Sequence, residues 1–134
     1  MIEVVCAVIE DAEGRVLACK RPQHKHLGGL WEFHGGKLEE GEGHAAAIVR
    51  EIREELGIEV EVHGELSAVV WHYPEVSIRL HPQRCRILQG KPQTLEHEEL
   101  RWVTRADAGN LPWAEADVPI LHELWVVSSN STAG

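Results

Sequence analysis

GKLEEGEGHAAAIVREIREELGI, residues Gly36 to Ile58, is the stretch on which the fold turns, and its densest part is Arg50-Glu51-Ile52-Arg53-Glu54-Glu55-Leu56-Gly57. Glu51, Glu54 and Glu55 stand at i, i+3 and i+4, so a helix projects all three carboxylates from one side. Like charges at that spacing repel unless a divalent cation binds them and keeps them ionised. The run therefore reads as a metal site; the plainer alternative is an acidic amphipathic helix with a solvated face. At 100° per residue, Ala45, Ile48, Val49, Ile52 and Leu56 gather opposite the acids as the face that meets a core. Gly57 is placed to end the helix in the left-handed conformation. Upstream, Gly35-Gly36 and Gly41 frame a loop whose amides, with the helix N-terminus, favour phosphate.

The segment matches every fixed position of the Nudix box, Gly-x5-Glu-x7-Arg-Glu-U-x-Glu-Glu-x-Gly-U with U aliphatic. The positions here are Gly36, Glu42, Arg50, Glu51, Ile52, Glu54, Glu55, Gly57 and Ile58. The opening MIEVVCAVIE, the approach LWEFHGGK and the late ADVPIL resemble the MutT branch of the family, and within it the CTP pyrophosphohydrolase type, over roughly residues 1 to 126. The resemblance implies an α/β Nudix fold, a mixed β-sheet sandwiched between a catalytic helix and a C-terminal helix. It also implies a small-molecule nucleotide substrate and a Mg²⁺ cofactor, with Mn²⁺ as a substitute.

Composition agrees with one catalytic domain. The chain has 134 residues, enough to bury a proper core, and residues 1–127 read as a single domain with 128–134 as a frayed tail. There is no apolar run suited to a membrane span and no basic-plus-apolar leader at the N-terminus. Cys6, Cys19 and Cys85 are odd in number and lack CxxC spacing, which points to buried thiols and a reducing cytoplasm. The net charge of −9, with no basic stripe, argues against a nucleic-acid duplex as partner. It does not oppose a nucleotide that brings its own cation. Either a monomer or a homodimer is compatible with the sequence.

Hydrophobic pattern gives the order of elements. Residues 2–10 are apolar on both faces, as in a central strand, and 15–20 return after the Asp11–Gly14 turn. A loop over 22–29 leads to a short strand at 30–33. After the helix, strands are expected at 58–62, 65–72, 77–88 and 100–103, with a short helix at 104–109. Asp117 caps a last helix that runs to about Trp125, with Pro119 tolerated in its first turn.

Chemistry on a phosphoanhydride needs an activated water and neutralised phosphoryl oxygens, and carboxylate-held Mg²⁺ meets both needs. Mg²⁺ takes only one or two carboxylates each, so Glu51, Glu54 and Glu55 can share ions with the substrate. The resemblance adds the Gly35 carbonyl as a ligand and gives Arg50 the task of orienting a carboxylate, against its reading as a surface ion pair. It implies one more acid in the loop before Trp102, as a metal ligand or base. Glu96 falls on that position, with Glu98, Glu99 and His97 as neighbours that compete for it. Arg21 matches a triphosphate-binding Arg, and Lys37 can reach a terminal phosphate, each against the ordinary reading of a solvated surface charge. For the base, Glu32 and Phe33 precede the box, and Asp117 matches a base-reading position where an Asp suits the cytosine amine. Asp117 is equally a helix cap.

Three features depart from the family pattern. His34 stands where a Pro usually precedes the paired glycines. His72-Tyr73-Pro74-Glu75 breaks one strand, and Leu80-His81-Pro82-Gln83 interrupts the next, because Pro cannot donate to a ladder. Both breaks lie where the substrate mouth is often shaped. The function expected is hydrolysis of a nucleoside triphosphate to the monophosphate and pyrophosphate, on CTP, dCTP or a modified cytidine nucleotide. Alternatives are an 8-oxo-dGTP-type purine sanitising pyrophosphatase, a hydrolase of a diphosphate derivative such as ADP-ribose, and a nonhydrolytic nucleotide sensor.

Overall fold

The computed structural model describes the backbone of residues 1–133 and the side chains of residues 1–125, so the expected tail at 128–134 lies outside the residues described in full. Two sheets form the centre. In the larger, β4 (Gly35–Lys37), β1 (Ile2–Ile9), β7 (Ser77–Gln89) and β5 (Glu59–Glu65) lie side by side, and β6 (Val69–His72) also pairs with β7. In the smaller, β2 (Val16–Lys20) lies between β3 (Trp31–Glu32) and β8 (Glu99–Val103). β1 runs parallel to β7 from Ile2↔Ile78 to Ile9↔Cys85 and antiparallel to β4 through Val4↔Lys37, Val5↔Gly36 and Cys6↔Gly35. The mixed sheet is thus as expected, although the smaller sheet was not separated from it by sequence pattern.

β1 is apolar on both faces because both are covered. Val5, Ala7 and Ile9 join Leu17, Cys19 and residues of α1 (His44–Leu56) in one core. Cys6 and Val8 join Val16, Ala18, Trp31 and Phe33 in the other, against Ile120, Leu121 and Leu124 of α3 (Val118–Ala133). Alternation along a strand sends successive side chains to opposite faces, so one strand serves both cores. The three cysteines are free and buried, as their spacing suggested. The short helix α2 (Arg105–Ala108) is capped by Thr104, whose hydroxyl accepts from the Asp107 amide at 3.2 Å.

α1 ends at Gly57, whose φ of 71° is the left-handed conformation that glycine adopts without steric cost. The buried face of α1 differs from the wheel prediction. Ala47, Ile48, Ile52 and Leu56 are buried, whereas Ala45 is exposed and Val49 only partly covered. The inward arc therefore turns toward Ala47 and takes in Glu51 and Glu55, which are half-buried, while Glu54 remains exposed. The physical reason is β4, which lies beside the helix and covers a sector that an isolated helix would leave to solvent.

Other boundaries also moved. Gly35–Lys37 forms a strand on β1 instead of a loop, and the expected strand at 65–72 splits into the end of β5 and β6. Pro74-Glu75 makes the tight turn between β6 and β7, with Tyr73 and Val76 exchanging backbone hydrogen bonds at 2.9 and 3.3 Å. Pro82 does not interrupt β7, contrary to the expectation from its missing donor. Its carbonyl accepts from Leu66 at 3.0 Å, on the side where β5 has ended and β6 has not begun. N–H and C=O of one strand residue point the same way. The absent N–H therefore faces the gap between β5 and β6 and leaves no acceptor wanting.

Candidate active site

A cleft of about 280 Å³ opens where the two sheets meet. Arg21, Glu32, Phe33, Gly35, Glu51, Glu96 and Asp117 all line it, although they come from five separate stretches of chain. Arg50, Glu54 and Glu55 stand beside it on α1. Lys37 does not line it: its side chain is exposed on β4.

The acids of α1 are placed by the segment that precedes them. Glu51 is only 15% exposed in its side chain, beneath Gly36, where an added Cβ would lie 2.5 Å from its carboxyl carbon. His34, next in line, approaches it at 3.7 Å, and Arg50 donates to it at 3.2 Å. These two neighbours, against the opposing effect of burial, hold the Glu51 carboxyl below the usual carboxylate range. Arg50 forks onto Glu42 at 2.8 and 3.0 Å and also reaches Glu54 at 3.4 Å, so one guanidinium ties the box loop to two of the three acids. Those hydrogen bonds raise the pKa of Arg50 further and keep it cationic. Glu55 behaves in the opposite way. Burial first and then the charge of the nearby Glu96 raise its pKa.

Of the four candidates at 96–99, only Glu96 and His97 line the cleft. Glu98 pairs with Lys20 at 3.5 Å and Glu99 with Arg101 at 2.7 Å, both away from it. The crowding of Glu51, Glu55 and Glu96, an all-oxygen donor set, fits a hard divalent ion such as Mg²⁺ or Mn²⁺.

The other end of the cleft is apolar with one acid at its floor. Phe33 is buried and packs on Trp113 with ring centroids 5.1 Å apart. Val4, Ile78, Leu80 and Tyr73 extend that wall. Asp117 is buried, and burial, then the charge of Glu32, pushes its carboxyl well above the ordinary aspartate range. Asp117 closes a 3₁₀ turn, Glu115–Asp117, that runs directly into α3. It also lines the cleft. Glu32 is raised by burial, but a hydrogen bond from His97 and the charge of Arg21 outweigh this and hold it below the usual range. Arg21 donates to Glu32 at 3.2 Å and to the His26 carbonyl at 2.7 Å, which fixes its guanidinium at the cleft wall.

The lining residues Lys25 and Tyr73 had no role in the sequence reading, while His34 entered only as a departure from the family pattern and His97 only as a competitor of Glu96. Lys25 sits 4.0 Å from Glu96. Tyr73 was read only as part of a strand break; its hydroxyl accepts from the Ala116 amide at 3.2 Å, tying the β6–β7 turn to the Asp117 segment. Among the described residues, two groups bring three ligand atoms within 4.8 Å of one another, Glu32–His34–His97 and His44–Glu65–His81. Neither contains an acid of α1. Only the unusual His at position 34 could have signalled the first.

Acids and cations converging on one end of a cleft, with an apolar wall at the other, define an enzyme that handles a phosphorylated ligand with an aromatic part. A NUDIX domain profile matches residues 5–123. The chain is 46% identical over 124 residues to the CTP pyrophosphohydrolase of Escherichia coli K12, spanning 90% of this chain and 89% of that protein. It is 39% identical over 79 residues to an 8-oxo-dGTP diphosphatase of Proteus vulgaris, spanning 59% and 70% of the two chains. The solution structure of the E. coli ORF135 protein superposes with a TM-score of 0.84 at 38% identity, over 100% of this chain and 95% of that one. The chain belongs to the Nudix hydrolase family. It is an enzyme of phosphoanhydride hydrolysis, in a family whose members generally use divalent metals. Among the described residues no helix is long and apolar enough to cross a membrane.

Proposed function

We propose that the protein converts a nucleoside triphosphate and water to the monophosphate and pyrophosphate, and that CTP, dCTP or a modified cytidine nucleotide is the substrate. The observation that carries the base assignment is Asp117, a buried carboxyl that lines the cleft together with Phe33 and whose pKa is driven up by burial and by the charge of Glu32. A carboxyl that keeps its proton offers one donor and one acceptor side by side. Cytosine presents the matching pair on its edge, an N3 acceptor and an N4 amine. Guanine presents N1–H and an N2 amine, two donors, which suit an ionised carboxylate instead. The match to a CTP pyrophosphohydrolase supports the same reading.

Glu51, Glu54, Glu55, Glu96 and the Gly35 carbonyl would hold Mg²⁺, with Mn²⁺ as substitute. When bound, such ions neutralise phosphoryl oxygens and acidify the attacking water. Arg50 positions Glu51 and Glu54 through the contacts it makes with both. Glu54 acts as a catalytic metal ligand, Glu96 as a further ligand or the base that positions water, and Arg21 and Lys37 as the phosphate contacts, while Glu32 and Phe33 flank the nucleobase with Asp117. Lys37 would have to swing from its exposed position to take part. Residues 1–127 would act as one domain, monomeric or dimeric, in the cytoplasm, where the three free thiols are stable.

The test is hydrolysis of a panel with Mg²⁺: ordinary NTPs and dNTPs, 5-methyl and 5-hydroxy cytidine forms, 8-oxo-dGTP and ADP-ribose, with products identified. A kcat/KM led by a cytidine triphosphate, with pyrophosphate released, is expected. Leadership by 8-oxo-dGTP would overturn the base assignment, a reading that the similarity to 8-oxo-dGTP diphosphatases keeps in view. Turnover of ADP-ribose alone would overturn the substrate class.

A further inference from the structure

Three buried imidazole nitrogens in the cleft have no hydrogen-bond partner: Nδ1 and Nε2 of His34 and Nδ1 of His97. The two rings meet edge to face with centroids 4.7 Å apart, at 7% and 8% exposure. Burying a polar group unpaired costs about 1–3 kcal/mol, so a ligand that takes one nitrogen from the His34 ring would relieve part of that cost. Nε2 of His97 lies 3.0 Å from Glu32 Oε2, and Nε2 of His34 lies 3.7 Å from Glu51 Oε1, beyond hydrogen-bond reach. One ligand atom from each of Glu32, His34 and His97 falls within the same 4.8 Å. Arg21 Nη1 donates to both oxygens of Glu32, at 3.2 and 3.3 Å, and Oε2 also faces His97 at 3.0 Å.

Two imidazoles and one carboxylate form a donor set of a different kind from the acids of α1. Imidazole nitrogen suits Zn²⁺, Co²⁺ and Ni²⁺, whereas Mg²⁺ prefers carboxylate, carbonyl and water oxygens. A Zn–N bond of about 2.0–2.1 Å asks the donors to close up by roughly an ångström, within reach of small ring rotations. His34 supplies what the sequence alone marked as unusual, a side chain with two ring nitrogens where proline would offer none. We propose that Glu32, His34 and His97 form a second metal site, selective for Zn²⁺ and ions like it, inside the nucleotide cleft and separate from the hard-ion carboxylates of α1. An ion there takes Glu32 away from the nucleotide, so micromolar Zn²⁺ acts as an inhibitor that nucleotide competes off. That last consequence rests on the base-pocket reading; the metal site itself does not.

The test is calorimetric titration of the full chain with Zn²⁺ in millimolar Mg²⁺, which saturates the carboxylate sites first. Co²⁺ is titrated in parallel to read its visible absorption, which responds to nitrogen ligation. One ion per chain is expected. The variants His34→Ala and His97→Gln, each checked for an unchanged melting curve, should weaken Zn²⁺ by at least about 100-fold, the upper end of what an outer-shell change does. His81→Ala should bind like the parent. No Zn²⁺ binding in Mg²⁺, retention in both cleft variants, or loss in His81→Ala would each overturn the proposal, the last by moving the ion to the His44–Glu65–His81 cluster. None of these outcomes depends on which nucleotide the enzyme prefers.

Discussion

Gly36→Ala offers a sharp probe of the active-site geometry, because one methyl group reaches one catalytic carboxylate. Its Cβ would lie 2.5 Å from the carboxyl carbon of Glu51 and 2.6 and 2.8 Å from its oxygens. Non-bonded carbons rest about 3.5–4.0 Å apart, so the carboxyl must retreat by about 1 Å. Glu51 cannot do so freely, since Arg50 holds one of its oxygens and His34 stands beside the other. A displacement of about 1 Å in a catalytic group costs on the order of 100-fold in rate, or about 2.7 kcal/mol of barrier. The side chain's departure from its rotamer adds about 0.5–1.5 kcal/mol of instability. Gly43→Ala is the matched control: seven residues on, its added carbon meets nothing within 4 Å. The assay is kcat/KM for triphosphate hydrolysis in saturating Mg²⁺, with a melting curve for each variant. The reasoning predicts a fall of about 100-fold for Gly36→Ala and parent-like turnover for Gly43→Ala. Parental activity and melting in Gly36→Ala would refute the placement of Glu51 beneath Gly36.

Two further predictions concern single acids. Glu54→Gln should lower kcat by about a thousandfold, roughly 4 kcal/mol, with circular dichroism unchanged; near-parental turnover would remove Glu54, which is exposed and outside the cleft lining, from the chemistry. Asp117 should impose a pH dependence on stability, because its folded pKa is raised above the unfolded value near 3.8. Between those two pKa values the native state holds a proton that the unfolded state has released, so stability falls as pH rises through that window. Asp117→Asn should abolish this slope in denaturant titrations run from pH 4 to 8, and an identical pH profile in the variant would show that the carboxyl is not buried as described.

The helix α1 was readable because it obeys two local rules, the 3.6 period of its apolar residues and a glycine at its left-handed end. β1 was readable as central because its residues are apolar at odd and even positions alike. The Nudix box itself needed no fold at all, since nine fixed positions in 23 residues specify the helix, the loop and the acids together. Periodicity failed where a neighbour far in sequence changed what a position sees. Ala47 is buried and Ala45 exposed because β4 covers one flank of the helix, and Pro82 lies inside a strand because its missing donor faces a gap between two partners.

What the amino-acid order determined, then, was the identity of the acid-bearing helix and the family to which the chain belongs, because those are written in short-range spacing. The tertiary structure decided which acid of the 96–99 loop faces the cleft, that Asp117 lines it, and that His34 and His97 meet. Each of these depends on two sheets closing over segments far apart in the chain. Burial then sets the charge state of the groups enclosed there, lifting Asp117 while its partners hold Glu32 down. Desolvation is a property of the enclosed volume, and no run of neighbouring residues specifies it.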